Sequence, residues 1–350
     1  MAMTKLSNIL FKIFGVVILL SSFIGGWIMM DYKQFVANPL PLSGQGYHYI
    51  MPPGTSFKRF AEDLNQAGVV PHPLYFRWLA LFEGKAHAVK AGEYLFTVGL
   101  TPPQLLDQVV SGAVVQHTLT IVEGWSFAQL LEALQQQGAI EHKLSGLSKA
   151  QIMERLNHPG QHPEGRFLPD TYHFPLGTTD IAFLQRTYQA MDARLAEEWG
   201  KRDQGLPYKA PYEALIMASI IEKETGLPEE RPEIAGVFIR RLARGMRLQT
   251  DPTVIYALGE RFDGNLRRQD LSFDSPYNTY MHIGLPPTPI ALPGLASIHA
   301  ALHPAPGQAI YFVARGDGRH EFSATLAAHN KAVQRYQIDN HRPPAGHAKK

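Results

Sequence analysis

The sequence of 350 residues contains no cysteine. This absence excludes disulfide bonds, a catalytic thiolate and any metal site built on cysteine. H-E-x-x-H, G-x-S-x-G and G-x-x-x-x-G-K motifs are also absent, so zinc-peptidase, serine-hydrolase and P-loop chemistry have no support. The 15 histidines are scattered. We find no paired ligand spacing among them and therefore predict neither a metal nor a cofactor.

Charge of one sign is also scarce. The formal net charge is +2, and no basic run recurs along the body of the chain. Proteins that bind nucleic acid usually concentrate positive charge on one face, so we expect no nucleic-acid partner. The length leaves room for two or three domains with sizeable cores.

One long apolar run is present, at Ile13–Met30, and it is close to the length needed to cross a bilayer. Lys5 and Lys12 precede the run and Asp31 follows it, which predicts a cytoplasmic N-terminus with the remaining chain outside. A cleaved signal peptide is the alternative. The apolar core is longer than a usual signal core, and no small-x-small cleavage site closes it, so we favour a single-pass anchor.

An internal repeat follows the anchor. Pro53–Phe57 and Glu123–Phe127 are related by a constant offset of 70 residues (124 − 54). In each copy a short β-prone piece leads to Gly, then to Ser as a helix N-cap, then to an amphipathic helix. These units are similar to LysM-type modules, which often hold N-acetylglucosamine polymers. The alternative is a structural βα repeat that binds nothing.

A buried helix is predicted over Tyr212–Ile221, where only Glu213 and Ser219 interrupt the apolar residues. A helix that is apolar on every side belongs in a core. It runs directly into Glu222 and Glu224. A carboxylate at the end of a buried helix is costly unless it is paired, protonated or functional.

The two glutamates are not equivalent, because residues two apart on a helix point about 200° apart. Glu224 continues the stripe formed by Met217 and Ile221, so it emerges where packing of that side stops. A partly desolvated carboxylic acid has a raised pKa, which suits a general acid. The alternative is that both carboxylates are solvated and pair with Lys223 or Arg231.

Further polar candidates lie in loops. Asp170 sits among aromatic and charged residues in Glu164–Tyr172, which is either a sugar-lining surface or a packed loop. Ser275–Tyr280 belongs to one of two proline-stiffened loops. Loops of this kind often carry functional residues. The other candidates for holding a sugar are Gln249, Thr250, Tyr277, Asn278 and Tyr280.

The flanking elements predict a mixed α+β fold. Pro232–Arg244 is an amphipathic helix whose arginines, Arg240 and Arg241 included, are interpreted as a solvated face. Asp251, followed by Pro252, is a good N-cap for the next helix. The chain closes with a β-hairpin over residues 309–323 and a helix over residues 325–338.

Carboxylate chemistry in an aromatic, proline-shaped cleft outside the membrane suggests glycan cleavage. Ordinary glycosidases need two carboxylates at a set separation. Glu224 is the one clear candidate for a catalytic carboxylate here. Asp170, Glu222 and Asp251 are weaker candidates for the second carboxylate.

Several longer motifs resemble the endolytic murein transglycosylase family (MltG/YceG-like). They are EGRFLPDTY from residue 164, ASIIEKET from 218, RLQTDPTVIYALG from 247, SPYNTY from 275 and GLPPTPIALPG from 284. The resemblance implies cleavage between N-acetylmuramic acid and N-acetylglucosamine within nascent peptidoglycan strands. It implies 1,6-anhydro-muramic acid ends, an end to strand elongation, and Glu224 as the catalytic residue. It also implies an inner-membrane anchor, a periplasmic catalytic domain, and penicillin-binding protein synthases as partners.

The lytic reaction needs no second carboxylate, since the C6 hydroxyl of the muramic acid attacks its own anomeric carbon. Two other functions stay open, a hydrolytic muramidase in which Asp170 or Asp251 positions water, and a non-catalytic glycan-binding scaffold for the synthases. The predicted organisation is a cytoplasmic N-terminus (1–12), a transmembrane helix (13–30), a linker (31–46), a LysM-like repeat region (47–145), a catalytic domain (146–340) and a disordered tail (341–350).

Overall fold

The structure is a computed structural model that describes residues 2–339, with side chains from residue 9 onward. The predicted tail at 341–350 lies outside the described residues. The chain divides into two compact units. The first unit runs from the N-terminus to His117 and adds Phe174–Leu176, and the second holds Thr118–His173 and the chain from Gly177 on. Helices and strands mix in the chain, so the predicted α+β class is confirmed. The domain boundary after residue 145 stays a prediction.

The N-terminal helix α1 spans Ala2–Ala37. Its part Ile9–Ala37 is long and apolar enough to cross a membrane. The helix continues past Met30, so the first part of the predicted linker is helical instead. The reason is packing, since Phe35 on the last turns is buried in the core of the first unit.

The first unit packs three helices and a two-stranded antiparallel sheet around an aromatic core. Phe60, Phe76 and Phe96 are fully buried in it. The two strands pair with Tyr49 opposite Tyr94. The elements after α1 are β1 (Tyr47–Met51), α2 (Phe57–Gln66), α3 (Pro73–Phe82), β2 (Gly92–Phe96) and α4 (Pro102–Ser111).

The second unit is richer in helices, and its strands are short. Strand β3 pairs with β5, β4 pairs with β6 in parallel, and β7 pairs with β8 antiparallel. Strands β3 and β5 both cross the division between the units. The elements are β3 (Gln116–Thr120), α5 (Phe127–Gln136), β4 (Ile140–Glu141), α6 (Lys149–Arg155), β5 (Thr171–Pro175), β6 (Thr178–Thr179), α7 (Asp180–Lys201), α8 (Pro211–Glu224), α9 (Arg231–Ala243), α10 (Asp251–Leu258), α11 (Leu295–Leu302), β7 (Tyr311–Ala314), β8 (His320–Ser323) and α12 (Leu326–Val333), which continues as a π-helical stretch, Gln334–Asp339.

The internal repeat is visible as a local strand–turn–helix unit. Ser56 and Ser126 are the N-caps of α2 and α5, and each hydroxyl accepts a hydrogen bond from the backbone N–H three residues on. Gly54 and Gly124 adopt φ of 80° and 78°, a turn conformation that only glycine adopts freely. The two helices lie in different units. The likeness to LysM modules, and glycan binding by them, stay predictions.

Helix α8 lies in the core of the second unit, as its composition predicts. Ala214–Ile221 is buried along its whole length, and α7, α9 and α11 pack against the helix. The buried hydroxyl of Ser219 donates to the carbonyl of Ile216 at 2.7 Å and accepts the N–H of Ile290 at 3.0 Å. Because the hydroxyl of Ser219 has hydrogen-bond partners in the core, the helix is a rigid support for the residues at its end.

Candidate active site

Glu224 is the last residue of α8, and the chain turns to an extended conformation at Thr225. Its side chain is half-buried, while the helix up to Ile221, three residues before it, is buried. The carboxyl group therefore emerges from the core at a fixed point and not from a mobile loop. This is the arrangement predicted from the apolar stripe of the helix.

Glu224 lies in the wall of an open cavity of about 270 Å³. The lining residues of α8, of α9 and of the chain before α10 are called the cavity floor here, and others come from the hairpin β7–β8 and from α12 with the stretch that follows it. The lining residues are Glu224, Arg241, Leu248, Gln249, Thr250, Asp251, Tyr280, Phe312, Val313, Ala314, His320, His329, Val333 and Gln337. Residues of the second unit that are far apart in sequence, from Glu224 to Gln337, thus converge around one carboxyl group.

One oxygen of Glu224 is held by protein. The hydroxyl of Thr250 donates a hydrogen bond to its Oε1 atom. Among the described residues no group makes a hydrogen bond to Oε2, so Oε2 is the oxygen available to carry and exchange a proton.

The environment holds Glu224 partly protonated near neutral pH. Burial raises its pKa to about 7, against 4.5 for an ordinary glutamate, and the negative charge of Asp251 adds to the rise. The hydrogen bond from Thr250 acts in the opposite direction. A carboxylic acid with a pKa near the working pH can both give and take a proton efficiently.

Asp251 is the other carboxylate of the cavity. It is exposed, and its Oδ1 atom accepts a hydrogen bond from the hydroxyl of Tyr280 at 2.6 Å. Burial raises the pKa of Tyr280, so that hydroxyl stays neutral and donates. The pair brings a negative charge and a phenol to the cavity wall beside Glu224.

The loop before α10 is fixed by Thr279. The backbone N–H of Gln249 donates to the carbonyl of Thr279 at 3.1 Å, and that of Thr250 donates to its hydroxyl at 3.1 Å. Gln249 has φ of 53°, an uncommon value for a residue other than glycine. The prediction that Asp251 caps α10 is wrong by one residue, because the helix begins at Asp251 and Thr250 occupies the cap position.

Arg241 lines the cavity, and its prediction as part of a solvated face is wrong. It is buried, and its guanidinium donates to the carbonyl of Ile310 at 2.6 Å and to that of Leu248 at 2.7 Å. Arg240 is also engaged, through the carbonyl of Ala309 at 2.7 Å. The polar side of α9 is covered by a chain segment distant in sequence, which no helical pattern reveals. Arg241 therefore ties the cavity floor to the hairpin.

The predicted residues of the SPYNTY loop separate into two groups. Tyr280 faces the cavity, whereas Tyr277 and Asn278 are absent from its lining. The Asn278 side chain is fully buried and donates to the carbonyls of Leu271 and Phe273, at 3.1 and 2.7 Å. Tyr277 shares a hydrogen bond of 2.9 Å with the hydroxyl of Thr288. These two residues hold the loop that presents Tyr280.

Asp170 also lies away from the cavity lining. It is exposed at the start of β5 and accepts the N–H of Thr171 at 2.7 Å. In the same motif Glu164 is buried and accepts hydrogen bonds from the N–H of Phe127, at 2.7 Å, and the hydroxyl of Tyr256, at 3.1 Å. At Glu164 the geometry matches the packed-loop alternative and not a sugar-lining surface.

Glu222 has a different environment from Glu224, as the helix geometry predicts. Its Oε2 atom accepts the N–H of Gly294 at 3.0 Å and the hydroxyl of Ser297 at 2.7 Å. The guanidinium of Arg231 lies 3.6 Å from its Oε1 atom. Gly294 and Ser297 stand at the N-terminus of α11, where a carboxylate is favoured by the free N–H groups of the helix. Glu222 is thus engaged in a structural contact.

Two histidines of the cavity were missed by sequence reasoning. His320 pairs with Glu230 at 2.7 Å. His329 stacks on Tyr311 at 5.2 Å between ring centroids, and burial lowers its pKa, with a smaller effect from Arg241. The sequence did predict the hairpin and the closing helix that carry these two histidines. The order of secondary-structure elements does not show which cavity those elements border.

A further histidine pair shows that the spacing argument was incomplete. His299 and His303 are four residues apart, and with Glu198 they form a group whose ligand atoms lie within 4.8 Å of one another. Each ring already meets a carboxylate through Nδ1, His299 with Glu198 at 2.7 Å and His303 with Asp203 at 2.9 Å. None of these residues lines the Glu224 cavity. The absence of a metal stays a prediction.

The fold and the cavity define an α+β protein with a single raised-pKa carboxylic acid in an open, polar cleft. The chain belongs to the YceG-like family, whose sequence model matches residues 49–335. This confirms the family resemblance predicted from the sequence motifs.

Two relatives are named endolytic murein transglycosylase. The one from Bacillus subtilis is 32% identical over 303 residues, which cover 82% of this chain and 83% of the relative. The one from Streptococcus pneumoniae (strain D39) is 28% identical over 326 residues, covering 83% of this chain and 58% of the relative. A solved structure of a YceG-like protein from Listeria monocytogenes is 30% identical with a TM-score of 0.53, covering 83% of this chain and 99% of that one.

Proposed function

We propose that this chain is an endolytic peptidoglycan transglycosylase that cleaves the bond between N-acetylmuramic acid and N-acetylglucosamine. The observation that carries the proposal is Glu224, a half-buried acid with a pKa of about 7 and one free oxygen, in an open cavity. The names of the curated relatives point to the same substrate class.

The reaction uses Glu224 twice. In its protonated form it donates the Oε2 proton to the glycosidic oxygen, and the bond from that oxygen to C1 of the muramic acid breaks. The C6 hydroxyl of the same sugar then attacks C1, and the Glu224 carboxylate takes up its proton. The products are a 1,6-anhydro-muramic acid end and a free 4-hydroxyl on the departing N-acetylglucosamine, and Glu224 is protonated again. A pKa near neutrality suits a group that must serve as acid and then as base.

Asp251 stabilises the positive charge that develops at the anomeric carbon, since its carboxylate lies beside Glu224 and raises the pKa of that group. Gln249 and Tyr280 offer hydrogen bonds to the sugar from the cavity wall. Because the nucleophile belongs to the substrate, no residue has to activate water.

The apolar helix α1 supports a membrane anchor. With the positive residues at its start on the cytoplasmic side, the catalytic unit faces the periplasm from the inner membrane. There it would cut nascent strands and so end their elongation, working beside penicillin-binding protein synthases.

The proposal is tested by digesting purified glycan strands with the full chain in detergent and identifying the products by mass spectrometry. The matched variants are Glu224→Gln, which keeps the shape of the side chain, and Glu222→Gln on the same helix turn. We expect anhydro-ended internal fragments from the wild type and a loss of at least about 10²-fold in rate for Glu224→Gln. Glu222→Gln retains the products if it folds, which circular dichroism checks.

Other outcomes would redirect the assignment. Reducing ends, heavier than anhydro ends by one water, would indicate a hydrolytic muramidase with Asp251 as the second carboxylate. Binding of strands without any turnover by a folded wild type would indicate a glycan-binding scaffold. Products that persist in Glu224→Gln would remove Glu224 from the reaction.

A further inference from the structure

Helix α3 in the first unit exposes an apolar stripe. Leu74, Trp78, Leu81 and Phe82 are 60%, 38%, 62% and 76% exposed, and their spacing places them on one side of the helix. The opposite side, with Phe76, is buried in the core. Large aromatic and aliphatic side chains rarely share one exposed stripe unless the stripe meets a partner or a membrane.

The stripe lies against the C-terminal part of α1. The ring of Tyr32 is 6.2 Å from the ring of Phe82 and 6.4 Å from that of Trp78. Nearer the C-terminus of α1, the ring centroid of Phe35 lies 5.9 Å from that of Tyr75. Tyr75, at the start of α3, also reaches α1, where its hydroxyl donates to Asp31 at 2.9 Å and its ring lies 5.8 Å from that of Tyr32. Helix α3 therefore lies across the Asp31–Phe35 part of α1, directly after the apolar run.

These contacts set the height of the stripe relative to the apolar span. Tyr32 lies about 3 Å along the helix axis from Met30, the end of the predicted span, at 1.5 Å per residue. Phe82 touches Tyr32 from the side, so its exposed ring reaches the level where the headgroup region would begin. Tyr75, next to Leu74, hydrogen-bonds Asp31, so the start of α3 is also close to the end of the span.

We propose that the Trp78–Phe82 end of α3 inserts into the headgroup region of the outer leaflet, so that the first unit rests on the membrane. The inference rests on the proposed anchoring by α1. We assign the contact to the apolar stripe, whose exposed side chains carry no charge, and the neighbouring Lys85 is already paired with Glu83 and Asp107 at 2.6 and 2.5 Å. Uncharged phosphatidylcholine is therefore a sufficient surface. Aromatic side chains that are apolar at one end are favoured at this depth of a bilayer.

The absence of cysteine makes a direct test simple. Single variants Phe82→Cys, Trp78→Cys and Leu74→Cys of the full chain are labelled with an environment-sensitive nitrobenzoxadiazole dye and reconstituted into phosphatidylcholine vesicles. Lipids with a nitroxide on the headgroup or the upper acyl chain serve as quenchers. All three positions are exposed, so the labels leave the core intact. Ile24→Cys, in the apolar span, is the control for anchoring.

We expect a blue-shifted and quenched dye at positions 82 and 78, the two side chains of the stripe whose rings lie against Tyr32. Equal, water-like emission at all three α3 positions with quenching at position 24 would overturn the docking of α3 while leaving the anchor intact. Water-like emission at position 24 would overturn both. Dye at 82 that is blue-shifted but not quenched by lipid would indicate a protein partner or a second copy, which also overturns the proposal.

Glycan cleavage by the same reconstituted preparations is measured in parallel. Cleavage depends on Glu224 in the second unit, so its presence or absence bears on the proposed function alone. The two proposals can therefore fail separately.

Discussion

The hydroxyl of Thr250 donates a hydrogen bond to Glu224, and the two residues stand at the facing ends of different helices, Thr250 just before α10 and Glu224 at the end of α8. The contact assigns one carboxyl oxygen to the protein and leaves the other for the cavity. It also opposes the effect of burial on the pKa of Glu224. The protonation of this one group is thus set by residues that can be changed separately.

The ionisation of Glu224 should make the stability of the protein depend on pH. The pKa of Glu224 is raised from 4.5 to about 7, so its contribution to stability is fully present below pH 4.5 and is lost as pH rises through 7. Ionising the group costs at most about 3 kcal/mol at 1.36 kcal/mol per pKa unit. Glu224→Gln does not titrate, so it should gain stability relative to the wild type between pH 5 and pH 8. Urea unfolding at both values measures this, and a constant difference would contradict the raised pKa.

Thr250→Val removes the hydroxyl and keeps the side-chain shape. Because the Thr250 hydrogen bond lowers the pKa of Glu224, we expect that pKa to rise further. The alkaline limb of the pH–rate profile for glycan cleavage should move to higher pH. Thr250→Ser keeps the hydroxyl and should leave the limb in place. An unchanged limb in the valine variant would show that Thr250 does not act on the catalytic acid.

Asp251→Asn removes the charge that raises the pKa of Glu224. The alkaline limb should therefore move to lower pH, and anhydro-ended products should still form at a reduced rate. Tyr280→Phe removes the hydrogen bond to Asp251 but keeps the charge, so it should not produce the same downward shift. A complete loss of cleavage in Asp251→Asn, with a reducing-end product in the wild type, would instead support the hydrolytic alternative.

Arg241→Lys tests the tie between the cavity floor and the hairpin. Lysine cannot reproduce the separate hydrogen bonds to the carbonyls of Ile310 and Leu248, which would be left buried without these donors. We expect a loss of about 2–4 kcal/mol in unfolding free energy. Arg244→Lys, at an exposed position one turn on, should change stability by less than about 0.5 kcal/mol. Chemical denaturation compares the two, and equal effects would contradict the buried role of Arg241.

Gly165→Ala tests the packing of the EGRF motif against the proline loop. Gly165 has φ of 80°, and an added Cβ would overlap the ring of Pro289. Gly160 has nearly the same φ, 76°, with no atom within 4 Å of an added Cβ. Gly160→Ala should cost about 1–2 kcal/mol from the backbone alone, and Gly165→Ala should cost about 1–3 kcal/mol more. Similar melting temperatures for the two variants would contradict this close approach.

Local patterns predicted most of the helices and their starts. Ser56 and Ser126 were recognisable as N-caps because each precedes an amphipathic run, and both accept the expected backbone hydrogen bond. The apolar composition of α8 predicted its burial and the exposure of Glu224 at its end. These features depend on neighbours within one or two helical turns, which a single sequence displays.

Which polar groups meet in the cavity was not visible in the same way. Helix α9 reads as amphipathic, yet Arg241 on its polar side is buried because the segment leading into β7 covers it. Tyr277, Asn278 and Tyr280 are adjacent in one loop, and only Tyr280 lines the cavity. The turn geometry of that loop decides the direction of each side chain.

By itself the sequence determined the buried helix, the unequal glutamates at its end, the apolar N-terminal helix and the repeated strand–turn–helix unit. Hydrophobic periodicity and helix capping depend on a few neighbouring residues, so they can be recognised in the sequence without knowledge of the fold. Only the tertiary structure decided that Thr250, Asp251 and Arg241 surround Glu224, and that the apolar end of α3 lies beside α1. Those relationships join segments far apart in the chain, and they depend on packing that no local pattern records.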